Sequence, residues 1–455
     1  RISKAIRPDR SLIDLPPLRS KPRRVLLIVP PGTVEESYGR LSAAAGELPM
    51  LGLAYIAAAL RDQGHAVEII DYEVNDWPID RVEDDIRAFH SEAVDMIVLS
   101  EGEMVIRNVM NALGDEDSLR EVKGIWFRSK TGEIIQNMRE GLVDDLDIFP
   151  SPALDLFEMD KYYPPAHIRG KRVAHLLTSR GCPFKCTFCE TKLTFGRSFR
   201  YHSTEKVIED LENLISLGYD SFQFYDDIFT ANKKRVVDLC EAIIARNWKI
   251  QWMCFTRTNC VDEDTLKLMK RAGCYLITYG GETGDDDLLR LIKKDLTVET
   301  NFKGIRITRE QGIQTMSSFM LGLPTETREQ SLKTINFAVD SGLDYAVFPI
   351  TEPYPGTELW VDAQKYGRFD SSGKYQNNLL SENSAVWIPN GRTREELESL
   401  AQLAMRRFYW RPRSFLRALK NFLHLPFGRA MRYFWSGFKY FVVNAFKTSR
   451  AGARY

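Results

Sequence analysis

The chain has no surplus of charge of either sign: 62 Lys and Arg stand against 62 Asp and Glu over 455 residues. A global attraction to nucleic acid is therefore not written into its composition. No secretory leader is expected, and the chain has only seven cysteines, an odd number. A disulfide-stapled secreted fold is not expected; a reducing, cytoplasmic compartment is. From Arg406 to Tyr455 there is no Asp or Glu, and no uncharged run there reaches the length of a membrane span. Core-building material is plentiful, at 44% hydrophobic and 27% charged residues, and the length suits two or three domains.

Three of the cysteines fall within eight residues of Gly181-Cys182-Pro183-Phe184-Lys185-Cys186-Thr187-Phe188-Cys189, spaced C-x3-C-x2-C. A structural zinc site draws its ligands as two close pairs, and no matching second pair exists here. Three thiolates suit a cubane iron–sulfur cluster with one iron open to a ligand that is not protein; zinc, or three unrelated core cysteines, are the alternatives. Cys240, Cys254, Cys260 and Cys274 are scattered through apolar or strand-like segments and read as buried thiols. The motif, with Phe188 just before its third cysteine, resembles the radical S-adenosylmethionine (SAM) superfamily. The resemblance implies a [4Fe-4S] cluster on Cys182, Cys186 and Cys189 whose open iron holds SAM. It also implies Phe188 beside that cofactor and an electron donor such as flavodoxin or ferredoxin.

From 160 to 357 the sequence repeats strand–helix units. Strands are expected at Ala174–Thr178, Ser221–Tyr225, Ile250–Phe255, Tyr275–Tyr279, Thr315–Met320 and Tyr345–Ile350, with apolar-faced helices between them. Six such units match the partial (β/α)6 barrel of the resembled family, and parallel barrels carry chemistry at strand C-terminal ends. Gly280-Gly281-Glu282-Thr283 ends the fourth strand and resembles the family's second signature, where a Gly-rich turn approaches the SAM amino group. Glu282 would orient the cofactor or the substrate side. Gly322, in Leu321-Gly322-Leu323-Pro324, lies in the segment whose family counterpart meets the adenine. Arg257 would reach the SAM carboxylate, with a surface ion pair as the alternative. Asp226-Asp227 would brace the site or bind substrate, with a solvated turn as the alternative. Tyr354, in Pro353-Tyr354-Pro355-Gly356-Thr357, is a candidate proton or hydrogen donor, with packing as the alternative.

After a basic arm at 1–24, residues 25–152 alternate strand and helix: an apolar strand at Val25–Val29, a helix at Leu51–Leu60, strands at Ala66–Asp71 and Met96–Ser100. This predicts a doubly wound α/β domain with Pro30, Pro31, Asp71 and Ser100 on its ligand rim. The Leu48–Ala57 segment and the Glu101-Gly102-Glu103 step resemble cobalamin-binding domains fused to radical SAM barrels, which implies cobalamin near Pro30, Pro31, Leu51, Gly52, Glu101 and Gly102. The Asp-x-His-x-x-Gly motif for a lower-axial histidine is absent, so cobalt would be bound without one. A five-stranded domain would need a further helix, strand and helix between Ser100 and Glu101, and an omitted stretch is expected there. A hairpin around Lys130-Thr131-Gly132 and an acidic linker at Leu142–Pro152 follow.

Residues 358–455 are expected to be helical. Their basic–aromatic pattern suits a helix at an anionic membrane interface, a cover over the open barrel, or RNA; nucleic acid is the least expected. The whole resembles the cobalamin-binding radical SAM family, similar to the anaerobic magnesium-protoporphyrin monomethyl ester cyclase. It implies methylation of an unactivated carbon on a hydrophobic, lipid- or tetrapyrrole-like substrate at the inner face of a membrane. Oxidative cyclisation or rearrangement is the runner-up. A non-catalytic iron–sulfur protein and an RNA-modification factor are the alternatives from other classes.

Overall fold

The computed structural model describes residues 23–29, 50–71, 96–99, 101–159, 161–162, 164–165, 167–369, 385–412 and 414. In the N-terminal part, β1 (Arg24–Val29) and β2 (Ala66–Asp71) pair in parallel, from Arg24 opposite Ala66 to Val29 opposite Asp71. The helix between them, α1 (Leu51–Asp62), buries Ala54, Ala57, Ala58, Ala59 and Leu60. Its small side chains allow close approach to α2 (Gly102–Ala112) and to the segment around Ala153.

The third expected strand corrects the doubly wound reading in one detail. β3 (Met96–Val98) pairs not with β1 or β2 but antiparallel with β4 (Ile125–Arg128), which continues into β5 (Ile134–Gln136) across the expected hairpin turn. The α2 face of Val105 and Val109 packs against Ile125 and Phe127, and that separate core holds the small sheet together. Ile97 is left 59% exposed. Pro30, Pro31 and Ser100 lie outside the described residues. The expected acidic linker is a packed strap: Leu146 and Phe149 are buried, and Asp147 binds the His202 ring and the Ser203 amide.

The central part is a six-stranded parallel sheet: β6 (Val173–Leu176), β9 (Ser221–Phe224), β10 (Gln251–Thr256), β11 (Cys274–Glu282), β12 (Gln314–Phe319) and β13 (Tyr345–Val347). The two short strands skipped in this numbering, β7 (Ser179–Arg180) and β8 (Arg200–Tyr201), form a separate ladder. Each sheet strand lies beside its predecessor, with β6 and β13 at the edges, as in a partial (β/α)6 barrel. The alternating helices begin with side-chain caps: Ser203 on the Lys206 amide, Asn232 on Arg235, Asp262 on Thr265, Thr297 on Thr300, and Thr327 with Gln330 in a reciprocal box. Their apolar faces meet Phe222, Phe224, Trp252, Tyr279 and Phe319 in one continuous core. Cys240, Cys254 and Cys274 are buried there, as expected, whereas Cys260 is only partly covered.

The last described helix, Arg394–Tyr409, lies against the β13 edge. Phe408 is fully buried near Phe348, and the Tyr409 hydroxyl donates to the Ala346 carbonyl at 2.8 Å. The start of the basic–aromatic region therefore packs on the β13 edge of the sheet, while Trp410 stands 68% exposed and 415–455 lie outside the described residues. Among the described residues no helix is long and apolar enough to cross a membrane.

Candidate active site

The cysteine loop leaves β6 and is closed at its base by the β7–β8 ladder, where Ser179 faces Tyr201 and Arg180 faces Arg200. Gly181 opens the loop at φ +88°. A Cβ there would lie 2.2 Å from the Ser198 carbonyl oxygen, so only glycine fits. Both aspartates at the end of β9 staple this base, and the solvated-turn alternative is set aside. Asp226, 1% exposed, accepts from the Thr178 amide at 2.7 Å, the Thr178 hydroxyl at 2.7 Å, the Ser179 hydroxyl at 2.5 Å and Arg235 at 3.3 Å. Asp227 accepts from the Gly181 amide at 3.1 Å and the Thr191 hydroxyl at 2.8 Å. Burial holds the Asp227 carboxyl above its ordinary range, despite those two bonds.

The three cysteines are reduced, half-buried and near enough to feel one another's charge. Burial first, then the neighbouring Cys189, Asp227 and Cys186, pushes the Cys182 thiol up to about 11, although the Phe184 amide opposes this. Among the described residues no three Cys, His, Asp or Glu side chains converge tightly enough to share one metal ion. Three free, half-buried thiols within one eight-residue loop are a donor set that suits a cubane cluster with one iron left open.

Arg257 follows β10 and is buried at 4% exposure, which overturns the surface ion-pair alternative. Its Nη1 lies 3.6 Å from Cys186 Sγ, its guanidinium carbon 3.7 Å from the Phe184 ring centroid, and its Nη2 donates to the Lys294 carbonyl. Among the described residues it has no carboxylate within ion-pair distance. Phe188 points into an apolar patch of Leu288, Ile292, Met320 and Leu323.

The Gly280-Gly281-Glu282 turn ends β11 with a register shift, and Glu282 is left-handed at φ +59°. Its carboxylate is buried against Lys294, Nζ to Oε1 2.6 Å. A Cβ on Gly280 would strike that pair, at 2.4 Å from Glu282 Oε1 and 2.7 Å from Lys294 Nζ. One on Gly281 would lie 2.6 Å from Ser317 Oγ. Gly280 thus faces only the movable ends of two long side chains, whereas Gly281 is closed in by Ser317 Oγ and the Phe319 ring. Thr283 corrects its expected role: it is fully buried and its hydroxyl pairs with Thr334 Oγ1 at 2.9 Å, bracing the turn against the helix at Arg328–Asp340.

Gly322 is left-handed at φ +78°, and its amide and that of Leu323 donate to Glu326. Burial raises the Glu326 carboxyl to about 7 against the pull of those amides, Ser331 and Arg392. Tyr354 is half-buried near Glu352 and Glu190; burial first, then those carboxylates, raises its hydroxyl. Among the described residues the buried Glu352 Oε1 has no hydrogen-bond partner, and burial raises its carboxyl too. The segment sits over the cysteine loop, for Leu359 N donates to Thr187 O at 2.9 Å, and a Cβ on Gly356 would touch Leu193. Tyr225, 42% exposed, and Phe255 form a tilted aromatic pair at the ends of β9 and β10, ring centroids 5.1 Å apart.

In the N-terminal part, Leu51 and Gly52 form the first turn of α1, where Gly52 is exposed. Glu101 departs from its expected role, because both its oxygens are engaged by Arg180 or Arg200. Gly102 lies against Ile56, 3.4 Å from where a Cβ would be. Sequence reasoning missed Lys294, Arg180, Arg200 and Glu352. A lysine closing the apolar run after Leu288-Leu289 and an arginine abutting the cysteine motif were the available signals.

Comparison with known proteins agrees with this geometry. The family model described as the radical SAM superfamily matches residues 176–338, and that of the B12 binding domain matches 39–120. An uncharacterized methyltransferase of Pyrococcus horikoshii is 29% identical over 473 residues, covering 90% of this chain and 98% of its own. The anaerobic magnesium-protoporphyrin IX monomethyl ester cyclase of Cereibacter sphaeroides is 32% identical across 74% of this chain and 57% of its own. The hopanoid C-2 methylase of Rhodopseudomonas palustris is 25% identical across 78% and 73%. Among solved structures, the radical SAM methyltransferase TsrM of Kitasatospora setae, with cobalamin and a [4Fe-4S] cluster bound, superposes with a TM-score of 0.62 at 14% identity. It covers 86% of this chain and 89% of its own, and shares its fold. With a cysteine trio, a Gly-Gly-Glu turn and a strand-ordered parallel barrel behind a B12-binding domain, the chain is an enzyme of the radical SAM superfamily.

Proposed function

We propose that the chain is a cobalamin-dependent radical SAM methyltransferase acting on an unactivated carbon of a hydrophobic substrate. The observation that carries this reading is the convergence of the three cysteines, buried Arg257 and the Glu282–Lys294 pair at the strand C-terminal ends, behind a B12-binding domain. When bound, the cluster and SAM supply a 5′-deoxyadenosyl radical, and cobalamin supplies a transferable methyl group.

The chain's own residues do the positioning. Cys182, Cys186 and Cys189 would hold the cluster. Arg257, lacking a carboxylate partner among the described residues, would take the SAM carboxylate. Gly280 and Gly281 let backbone approach, and Lys294 keeps the Glu282 carboxylate oriented toward the amino group. Tyr225 and Phe255 offer an apolar floor, and the unpartnered Glu352 oxygen would accept a donor from the substrate's polar end. The name of the hopanoid methylase relative supports a lipid-like substrate. A cytoplasmic enzyme touching an anionic membrane through the 415–455 region, and served by a flavodoxin or ferredoxin, follows from the same reading.

The test is anaerobic reconstitution with iron, sulfide and hydroxocobalamin, then dithionite, SAM and a lipid extract. Formation of both 5′-deoxyadenosine and S-adenosylhomocysteine, dependent on cobalamin, is the expected result. Deoxyadenosine without S-adenosylhomocysteine would replace it with the cyclisation reading, which the cyclase relative favours. Flotation with anionic vesicles tests the membrane contact.

A further inference from the structure

Four buried charges join the N-terminal domain to the base of the cysteine loop. Arg180 Nη1 lies 2.9 Å from Glu101 Oε1, and its Nη2 lies 2.5 Å from Glu103 Oε1. Arg200 Nη1 lies 2.8 Å from Glu101 Oε2, which also accepts the Val143 amide at 2.9 Å. The four side chains are 1–8% exposed. The Arg180 guanidinium also sits among the rings of Tyr55, Phe149 and Phe195, at 5.7, 4.8 and 5.5 Å. Tyr55 belongs to α1, and its hydroxyl accepts from the Leu177 amide at 3.2 Å at the end of β6.

The sheet register gives this cluster a purpose. Arg180 and Arg200 are directly opposite each other in the two-residue β7–β8 ladder. Like charges facing across a ladder repel, and buried ones repel more. The barrel domain alone thus supplies two buried arginines that would force the ladder apart. Their neutralisation comes from Glu101, the residue that precedes α2, and Glu103, in its first turn, on the other domain. Gly181 and Cys182 follow Arg180 without a break, so the ladder sets where the loop begins.

We propose that Glu101 and Glu103 are positioning residues for the cysteine loop: by neutralising the facing Arg180–Arg200 pair, the B12-binding domain locks the ladder shut and fixes the loop, and any cofactors on the two domains, at one separation. This rests on the reading of Cys182, Cys186 and Cys189 as cluster ligands.

The experiment compares full-length wild type with E103Q, which removes one neutralising charge from Arg180 while keeping side-chain shape, and with E101Q/E103Q, which removes both. In the protein without cofactors, amide hydrogen exchange across 179–201 is expected to rise by roughly tenfold or more in E101Q/E103Q, with less change in E103Q. A tenfold change corresponds to about 1.4 kcal/mol. Helices remote from the loop, such as Lys233–Ala245, should exchange as in wild type. In the reconstituted protein, chelator-driven loss of the cluster should speed up by a similar factor, and electron paramagnetic resonance of the reduced cluster should broaden. Adding R200M to E101Q/E103Q removes the repulsion and should restore slow exchange. Unchanged exchange and an unchanged spectrum in E101Q/E103Q would overturn the proposal, as would exchange that rises uniformly over the chain without rescue by R200M. If wild type itself holds no cluster, the ligand reading fails, and the exchange comparison still decides the role of the glutamates.

Discussion

Replacing Lys294 by Met tests the logic of the Gly-Gly-Glu turn most directly. Lys294 and Glu282 meet at 2.6 Å with side chains 7% and 8% exposed, beside Gly280. Methionine keeps the length and an apolar stem but removes the charge, which lies 5.9 Å from the Phe188 ring centroid. The loss is then dominated by an uncompensated buried carboxylate, for which breaking one partner costs about 3–5 kcal/mol. For a domain of this size that lowers Tm by roughly 6–20 °C. Removing both charges in E282Q/K294M leaves no buried ion, and stability should return to within about 2 kcal/mol of wild type. SAM binding should separate the two effects: the double variant regains stability yet binds SAM roughly tenfold or more weakly, because the oriented carboxylate is gone. Thermal unfolding and equilibrium dialysis of labelled SAM, over the four-member cycle, supply the data. If K294M unfolds within about 1 kcal/mol of wild type, or if the double variant is as unstable as the sum of the singles, the pair is not the strut described.

Three further outcomes follow from the same geometry. G281A should cost about 1–3 kcal/mol by overpacking, since its Cβ would meet Ser317 Oγ at 2.6 Å and Phe319 at 2.9 Å; an unshifted unfolding curve would contradict that. The Glu326 carboxyl is raised to about 7 when folded, so the folded state holds the proton more tightly than the unfolded one. Its contribution is fully present below the unfolded pKa of about 4.5 and is lost as pH rises through about 7, a change of roughly 3 kcal/mol. Denaturant curves of E326Q should lack that portion of the fall, and parallel pH profiles would refute the assignment. Finally, alkylation of the reduced, cofactor-free protein should label Cys182, Cys186 and Cys189 while sparing Cys240, Cys254 and Cys274 until unfolding; equal labelling rates by mass spectrometry would show that the loop is not the accessible thiol site.

Local signals carried much of this protein. The three-cysteine spacing and the six strand–helix units are short-range patterns, because strand and helix runs are set by neighbours along the chain. The apolar runs marked the strand cores well, and the ends moved by only a few residues. Pairing was less legible. Met96–Val98 reads as one more strand of an alternating domain, yet its partner is the hairpin strand at Ile125–Arg128, a choice made by the α2 core.

The tertiary structure alone decided which charges are buried together. A sequence shows Lys294 as one of two adjacent lysines and Arg200 as one more basic residue. Only folding brings Lys294 onto Glu282 twelve positions away, and Arg200 onto Glu101 ninety-nine positions away. It likewise buried Arg257 beside Cys186, where the sequence had left a surface ion pair open, and turned the Thr283 hydroxyl toward Thr334. The reason is physical: a motif fixes residue type and spacing along the chain, whereas the worth of a charge depends on how much water is removed around it and on what faces it across the fold.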